Sequence, residues 1–284
     1  SHSKKYKGSF MNNLIEQRLS RYSIKTQDDE ANAVKEITQE IILYALSTTK
    51  FFDHVHFCGG TALRIIYGLE RFSEDLDFTL NIPDENFNFD NYMSDVLNML
   101  KQYGLDMQIK KAKDNTFVKK RELKKDSEKW QLSFPSLEKV VIKLEIDANP
   151  PEGAIYTDKI LDFPILHKIS IGTIETLFAG KMHALLCRDF VKGRDWYDFL
   201  WYVKNNHAIN YDLLQHALFQ MGPYKGKNIP NFDKEFVKTE LSKKIESLDW
   251  SKAKSDVERF IKPEEVKSLD LWSVDLFLSR VEQL

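Results

Sequence analysis

Asp75 and Asp77 stand one residue apart in the run Ser73-Glu-Asp-Leu-Asp-Phe78. In a strand, residues two apart share a face, so both carboxylates point one way while Leu76 and Phe78 point the other. Carboxylates held side by side repel each other unless a cation lies between them. Hard oxygen ligands at this spacing suit Mg²⁺, which takes one or two protein carboxylates and completes its shell with substrate phosphates. Just upstream, Gly59-Gly60-Thr61 separates an alternating, strand-like stretch (54–58) from a helical one (62–69). Glycine lets the main chain come close to a ligand. A helix N-terminus offers unpaired N–H groups and the positive end of a dipole, which suits phosphate. Thr61 is placed to cap that helix, and Arg64, about one turn in, to reach the same anion. Arg71 and Ser73 add a cation and a hydroxyl immediately before the aspartates.

A two-metal phosphoryl site generally uses a further carboxylate. The best remaining strand is Val140-Val-Ile-Lys-Leu-Glu-Ile-Asp147. Ile142, Leu144 and Ile146 make one face; Lys143, Glu145 and Asp147 make the other. Glu145 is taken as the third metal ligand, but alternation leaves Asp147 open because both acids share a face.

These segments resemble the AbiEii-type family of abortive-infection and toxin nucleotidyltransferases, within the DNA polymerase β-like superfamily. The resemblance is carried by Gly59-Gly60-Thr61-Ala62-Leu63, Arg71-x-Ser73-x-Asp75-Leu-Asp77-Phe78, Lys143-Leu-Glu145, Glu175-Thr-Leu-Phe-Ala-Gly-Lys181-Met-His-Ala-Leu-Leu and Lys192-Gly-Arg194-Asp195-Trp-Tyr-Asp198. It covers roughly residues 50–204. It implies an NTP-dependent nucleotidyltransferase that releases pyrophosphate, with Asp75 and Asp77 as metal-binding carboxylates and two Mg²⁺ ions as cofactor. It further implies Lys181 as a lysine holding nucleotide phosphates, and Asp195 or Asp198 as the late acidic residue that assists the acceptor. The family's glycine motif is often Gly-Ser, so a serine contact to phosphate is absent here unless Thr61 replaces it. An RNA acceptor, tRNA in several relatives, and an antitoxin partner are the expected partners. The rival readings are a nucleotidyltransferase acting on a small molecule or protein, and a non-catalytic partner-binding protein on the same fold.

The elements that must position these groups are legible in outline. Apolar spacing predicts helices over 10–22, 28–46 and 89–103, the second with a cap-like Thr26-x-x-Asp29 start. Strands are expected at 105–109, 116–118, 130–134 and 168–171, and nearly continuous helix from residue 173 onward. The expected class is therefore α+β: a polymerase-β-like mixed sheet with flanking helices, followed by an all-helical C-terminal domain. The expected divisions are 1–8 (a tag remnant and disordered start), 9–171 and 172–284. Phe178, Trp196, Tyr197, Phe199 and Trp201 fall at core spacing and read as packing.

Composition is ordinary for a globular enzyme: 284 residues, 42% hydrophobic, 30% charged, net charge −2. No global basic field advertises nucleic acid. Residues 110–129, however, carry nine basic and four acidic side chains, a stretch suited to steering RNA by its phosphates. Cys58 and Cys187 suggest no disulfide framework. With no membrane-length apolar run and no secretory leader in the sequence, a cytoplasmic protein without membrane contact is expected.

Overall fold

The structure is a computed structural model that describes residues 13–110, 127–134, 137–227 and 229–284. The start of the expected first helix, the N-terminal remnant, the expected strand at 116–118 and most of the basic stretch lie outside the described residues. The chain divides into two compact units. The first comprises residues 1–66, 73–150 and 158–171; the second comprises 67–72, 151–157 and 172–284.

The sheet unit is built on seven strands: β1 (Val55–Cys58), β2 (Leu76–Leu80), β3 (Gln108–Lys110), β4 (Ser127–Phe134), β5 (Leu137–Asp147), β6 (Tyr156–Leu161) and β7 (His167–Gly172). Their order is β3-β4-β5-β2-β1-β7-β6. The sheet is mixed: β2 runs antiparallel to β1 and parallel to β5, while β1 runs parallel to β7. Helices α1 (Asn13–Leu19), α2 (Gln27–Ser47), α3 (Gly59–Tyr67) and α4 (Asp90–Gln102) accompany it.

Alternation behaves as the sequence pattern predicts. Leu76, Phe78 and Leu80 of β2 are buried, as are Ile142, Leu144 and Ile146 of β5. Each buried aliphatic side chain contributes about 1.5–3 kcal/mol. Slipping β5 by one residue would instead bury Lys143, Glu145 and Asp147, so the apolar face holds the register. Helix α2 packs on β5 and α4. It starts at a full capping box: Thr26 Oγ1 accepts from the Asp29 N–H, and Asp29 accepts from the Thr26 N–H. Phe51, Phe78 and Phe89 pack together beneath the sheet, with the Phe51 and Phe78 ring centroids 5.1 Å apart edge to face.

The helical unit contains α5 (Ile174–Cys187), α6 (Gly193–Lys204), α7 (Tyr211–Gln220), α8 (Lys234–Ser247), α9 (Trp250–Glu258) and α10 (Val274–Val281), with a 3₁₀ segment at Pro263–Leu271. Four of these helices open on side-chain caps that sequence reading passed over: Asn210, Asp233, Asp249 and Ser273. Its core is aromatic. Phe178 stacks on Tyr202 at 4.1 Å, and Trp196, Trp250 and Trp272 surround Phe277. Gly193 opens α6 where a Cβ would fall 1.8 Å from the Ala253 carbonyl oxygen, so only glycine lets α6 approach α9 this closely. Among the described residues no helix is long and apolar enough to cross a membrane.

Candidate active site

The residues singled out by sequence fall into two groups, each inside one unit. In the sheet unit, β2 and β5 lie side by side, and Asp77 is in register with Glu145. Asp75 sits two residues before Asp77, one position ahead of the strand, and Asp147 is in register with Thr79. Register thus sets Glu145 beside Asp77 and moves Asp147 one pair further from Asp75. The four acids are half-buried on the face opposite the apolar core.

The glycine turn meets this face directly. Cys58 is in register with Asp77 across the β1–β2 ladder. Gly59, at φ 77°, lies so close to the Asp77 carboxylate that a Cβ there would sit 2.3 Å from Oδ2. Two demands therefore coincide on Gly59: a left-handed backbone and no side chain. Cys58, which sequence reading did not place at the site, thus lies opposite one of its acids. Burial, followed by the charges of Asp77, Asp147 and Glu145, pushes its thiol well above the ordinary value.

Helix α3 begins at Gly59, earlier than the expected start at residue 62. Thr61 is consequently inside the helix and is not its cap. Its hydroxyl is fully buried, lies 2.9 Å from the Ser73 hydroxyl and donates to the Asp75 carbonyl. These bonds tie the helix to the segment that leads into β2, and Gln39 Nε2 donates to the Ser73 carbonyl from α2 at 3.2 Å. Arg64 donates to Glu36 of α2, and Glu36 also accepts from the Tyr22 hydroxyl. Gly60 follows Gly59 in the first turn of α3.

The second group forms a buried ion network in the helical unit. Arg71, expected beside a phosphate, makes a two-pronged contact to Asp198 at 2.6 and 2.7 Å. Lys181 bridges Asp195 at 2.7 Å and Asp198 at 2.8 Å, and Arg188 reaches Asp195 at 3.1 Å. Arg71, Asp195 and Asp198 are at most 3% exposed. Burial pulls the Lys181 ammonium down, but Asp195 and Asp198 outweigh it and raise its pKa. Burial likewise opposes the Asp195 carboxylate, yet Lys181, Arg188 and Lys192 carry it well below the ordinary carboxylate value. The spacing of Asp195 and Asp198 on one turn of α6 was legible; their joint hold on Lys181 and Arg71 was not.

The donor chemistry of the sheet face fits a hard divalent cation. It offers carboxylate oxygens on neighbouring strands, set against a glycine that leaves no room for a methyl. Among the described residues, no three His, Cys, Asp or Glu side chains are gathered closely enough to form a finished metal cluster.

Comparison with known proteins bears on the family. No curated protein sequence matches the chain. Among solved structures, a candidate nucleotidyltransferase from Helicobacter pylori is similar at 19% identity and TM-score 0.47, covering 92% of this chain and 98% of that one. MenT4, a nucleotidyltransferase toxin from Mycobacterium tuberculosis H37Rv, is similar at 15% identity and TM-score 0.45, covering 93% and 98%. JHP933 from Helicobacter pylori is similar at 20% identity and TM-score 0.45, covering 89% and 94%. The model of the family described as nucleotidyl transferase AbiEii toxin, type IV toxin–antitoxin system, matches residues 41–280. This protein is a nucleotidyltransferase that belongs to the AbiEii toxin family.

Proposed function

We propose that the protein transfers a nucleotide from an NTP to an RNA acceptor, tRNA being the leading candidate, with release of pyrophosphate. In this reading it is the toxin of a toxin–antitoxin or abortive-infection pair and acts in the cytoplasm. The observation that carries the chemistry is the register of Asp77 with Glu145, with Asp75 two residues upstream and Gly59 packed on Asp77.

Asp75, Asp77 and Glu145 would hold Mg²⁺, with Asp147 as the reserve ligand. Bound there, the metal supplies charge stabilisation to the phosphates and lowers the pKa of an attacking hydroxyl. The chain's own contribution is positional. Gly59 and Gly60 bring the α3 N-terminus close to the acid face, where its N–H groups can receive a phosphate. Thr61 and Ser73 clamp the segment carrying Asp75, so the carboxylates are fixed before substrate arrives. Arg64 is steadied by Glu36 at the same end of the unit. Lys181, Asp195 and Asp198 enter through the family resemblance, as residues whose replacement should also lower transfer. The basic stretch 110–129 favours an RNA acceptor over a small cationic one.

The test is incubation with each radiolabelled NTP, Mg²⁺ and total RNA, followed by a denaturing gel. Label on RNA, lost when Mg²⁺ is chelated, is the expected outcome. Label on protein or on small molecules only would remove the RNA acceptor. No incorporation with any NTP would remove the transfer reading.

A further inference from the structure

The helical unit holds a groove that the transfer reaction does not use. It has a volume of about 480 Å³, within the range of about 300–1,000 Å³ typical of ligand-binding clefts. Its apolar part is formed by Val203 near the end of α6, Leu271 at the end of the 3₁₀ segment, Trp272 just after it and Leu276 of α10, and Asn206, Ser268 and Gln283 add polar groups to the lining. Leu271 is 70% exposed, a large aliphatic side chain left in water at the groove's edge. Exposed apolar surface of this kind, rimmed by polar groups, marks interaction sites.

The charge of the lining is one-sided. Lys204 and Arg280 both line the groove, and no Asp or Glu does. Neither side chain has an ion-pair partner among the described residues. The buried cations of the same unit, Lys181 and Arg71, are by contrast matched at short range by Asp195 and Asp198. A lining that joins apolar side chains to two cations complements a helix that presents leucine-like side chains together with carboxylates. Helix-in-groove recognition uses this pattern of spaced apolar anchors.

We infer that this groove docks an acidic amphipathic helix of a partner protein, seated on Val203, Leu271 and Leu276 and held by Lys204 and Arg280. The inference is independent of the transfer chemistry. Its test uses a fluorescein-labelled designed helix of about five turns, with leucines at i, i+3, i+4 and i+7 flanked by glutamates, and a twin carrying lysines in place of the glutamates. Fluorescence polarisation against the full chain should show saturable binding of the glutamate helix and none of the lysine helix. Raising salt from about 50 to 300 mM should weaken that binding severalfold. The Lys204→Glu/Arg280→Glu double variant should lose at least tenfold for the glutamate helix and gain binding of the lysine helix. Leu271→Ser, at an exposed position, should weaken the glutamate helix without lowering the melting temperature, and so serves if the double variant folds poorly. Equal binding of the two helices, or glutamate-helix binding unchanged in Leu271→Ser, would overturn the inference. So would displacement of nothing but free dodecanoate, which would make the occupant a small apolar anion. Concentration-dependent dimerisation abolished by Leu271→Ser would assign the groove to a second copy of the chain and overturn it equally.

Discussion

Asp77, Glu145 and Asp147 in the sheet unit all act on the Cys58 thiol with the same sign, each pushing it up. Around Asp195 in the helical unit the neighbours are cations: Lys181, Arg188 and Lys192 each pull the carboxylate down. Both groups are clusters of acids on regular elements, yet their charge surroundings differ. Where cations interleave the acids at 2.6–3.1 Å, the cluster is closed and holds its own helices together. Where acids on neighbouring strands adjoin a glycine and a thiol, the proposed role is to receive a cation with the substrate. Loss of a carboxylate should therefore damage activity without stability in the first region, and stability together with transfer in the second.

The widest separation is expected from Asp77→Asn. The substitution keeps the shape against Gly59 but removes the charge. NTP transfer measured on a gel should fall at least ten-thousandfold, equivalent to about 5 kcal/mol of barrier. The urea midpoint should move far less than transfer does. Retained transfer would break the metal assignment and with it the contrast.

The mirror experiment is Asp198→Asn. Asp198 is fully buried and shared by Arg71 and Lys181. Removing one partner of a buried charge network leaves the others uncompensated, at a cost of about 3–5 kcal/mol. Equilibrium urea unfolding checks it. A loss below about 1 kcal/mol would mean that aromatic packing around Phe277, and not the ions, holds this unit.

How much of this was legible in the chain depends on how far each partner lies along it. The period-2 pattern of β2 and β5 named the acid face correctly, because alternation is a property of a single strand. The register that sets Glu145 beside Asp77 was not available, since it joins strands that α4, β3 and β4 separate along the chain. Arg71 was read as a phosphate ligand from its neighbours Ser73 and Asp75, and its two-pronged contact to Asp198, 127 residues on, was not visible in the chain. Strand β6 escaped notice because its residues alternate between half-buried and exposed and none is fully buried. Gly193 looked like part of an acidic motif, and its closeness to Ala253 shows only in three dimensions. The groove lined by Lys204 and Arg280 is likewise assembled from α6 and α10, far apart in sequence.

A matched pair of glycines sharpens the contrast at smaller scale. Gly59 and Gly68 have nearly equal positive φ, 77° and 79°. Alanine at either should cost about 1–2 kcal/mol in backbone strain. At Gly68 nothing lies within 4 Å of the new Cβ, whereas at Gly59 it meets Asp77. Gly59→Ala should therefore lose about 1 kcal/mol more than Gly68→Ala, from overpacking. It should also cut transfer at least tenfold, with Gly68→Ala leaving transfer unchanged. Equal effects of the two on transfer would detach the glycine turn from the acid face.

The smallest expected effect is a difference in how the two units answer pH. In the sheet unit Glu40 contacts Arg18 at 2.5 and 3.2 Å. Burial is the larger influence on Glu40 and raises it from 4.5 to about 7, despite the opposing pull of Arg18. At Arg18 the balance goes the other way: burial is outweighed by Glu40, so the guanidinium stays charged throughout. Folded Glu40 thus keeps its proton at pH values where the unfolded chain has lost it. Its contribution is complete below about pH 4.5 and disappears as pH rises through 7. Asp195 runs in the opposite direction: its depressed pKa contributes stability above the ordinary 3.8 that is lost only as pH falls below it. Between about pH 5 and 8 the sheet unit should therefore lose on the order of 1 kcal/mol while the helical unit stays level. Hydrogen exchange read separately on α2 and α6 measures this, and Glu40→Gln should flatten the α2 slope without touching α6. A falling slope at α6 over the same range would show that the interleaved network is less tightly closed than its short distances indicate.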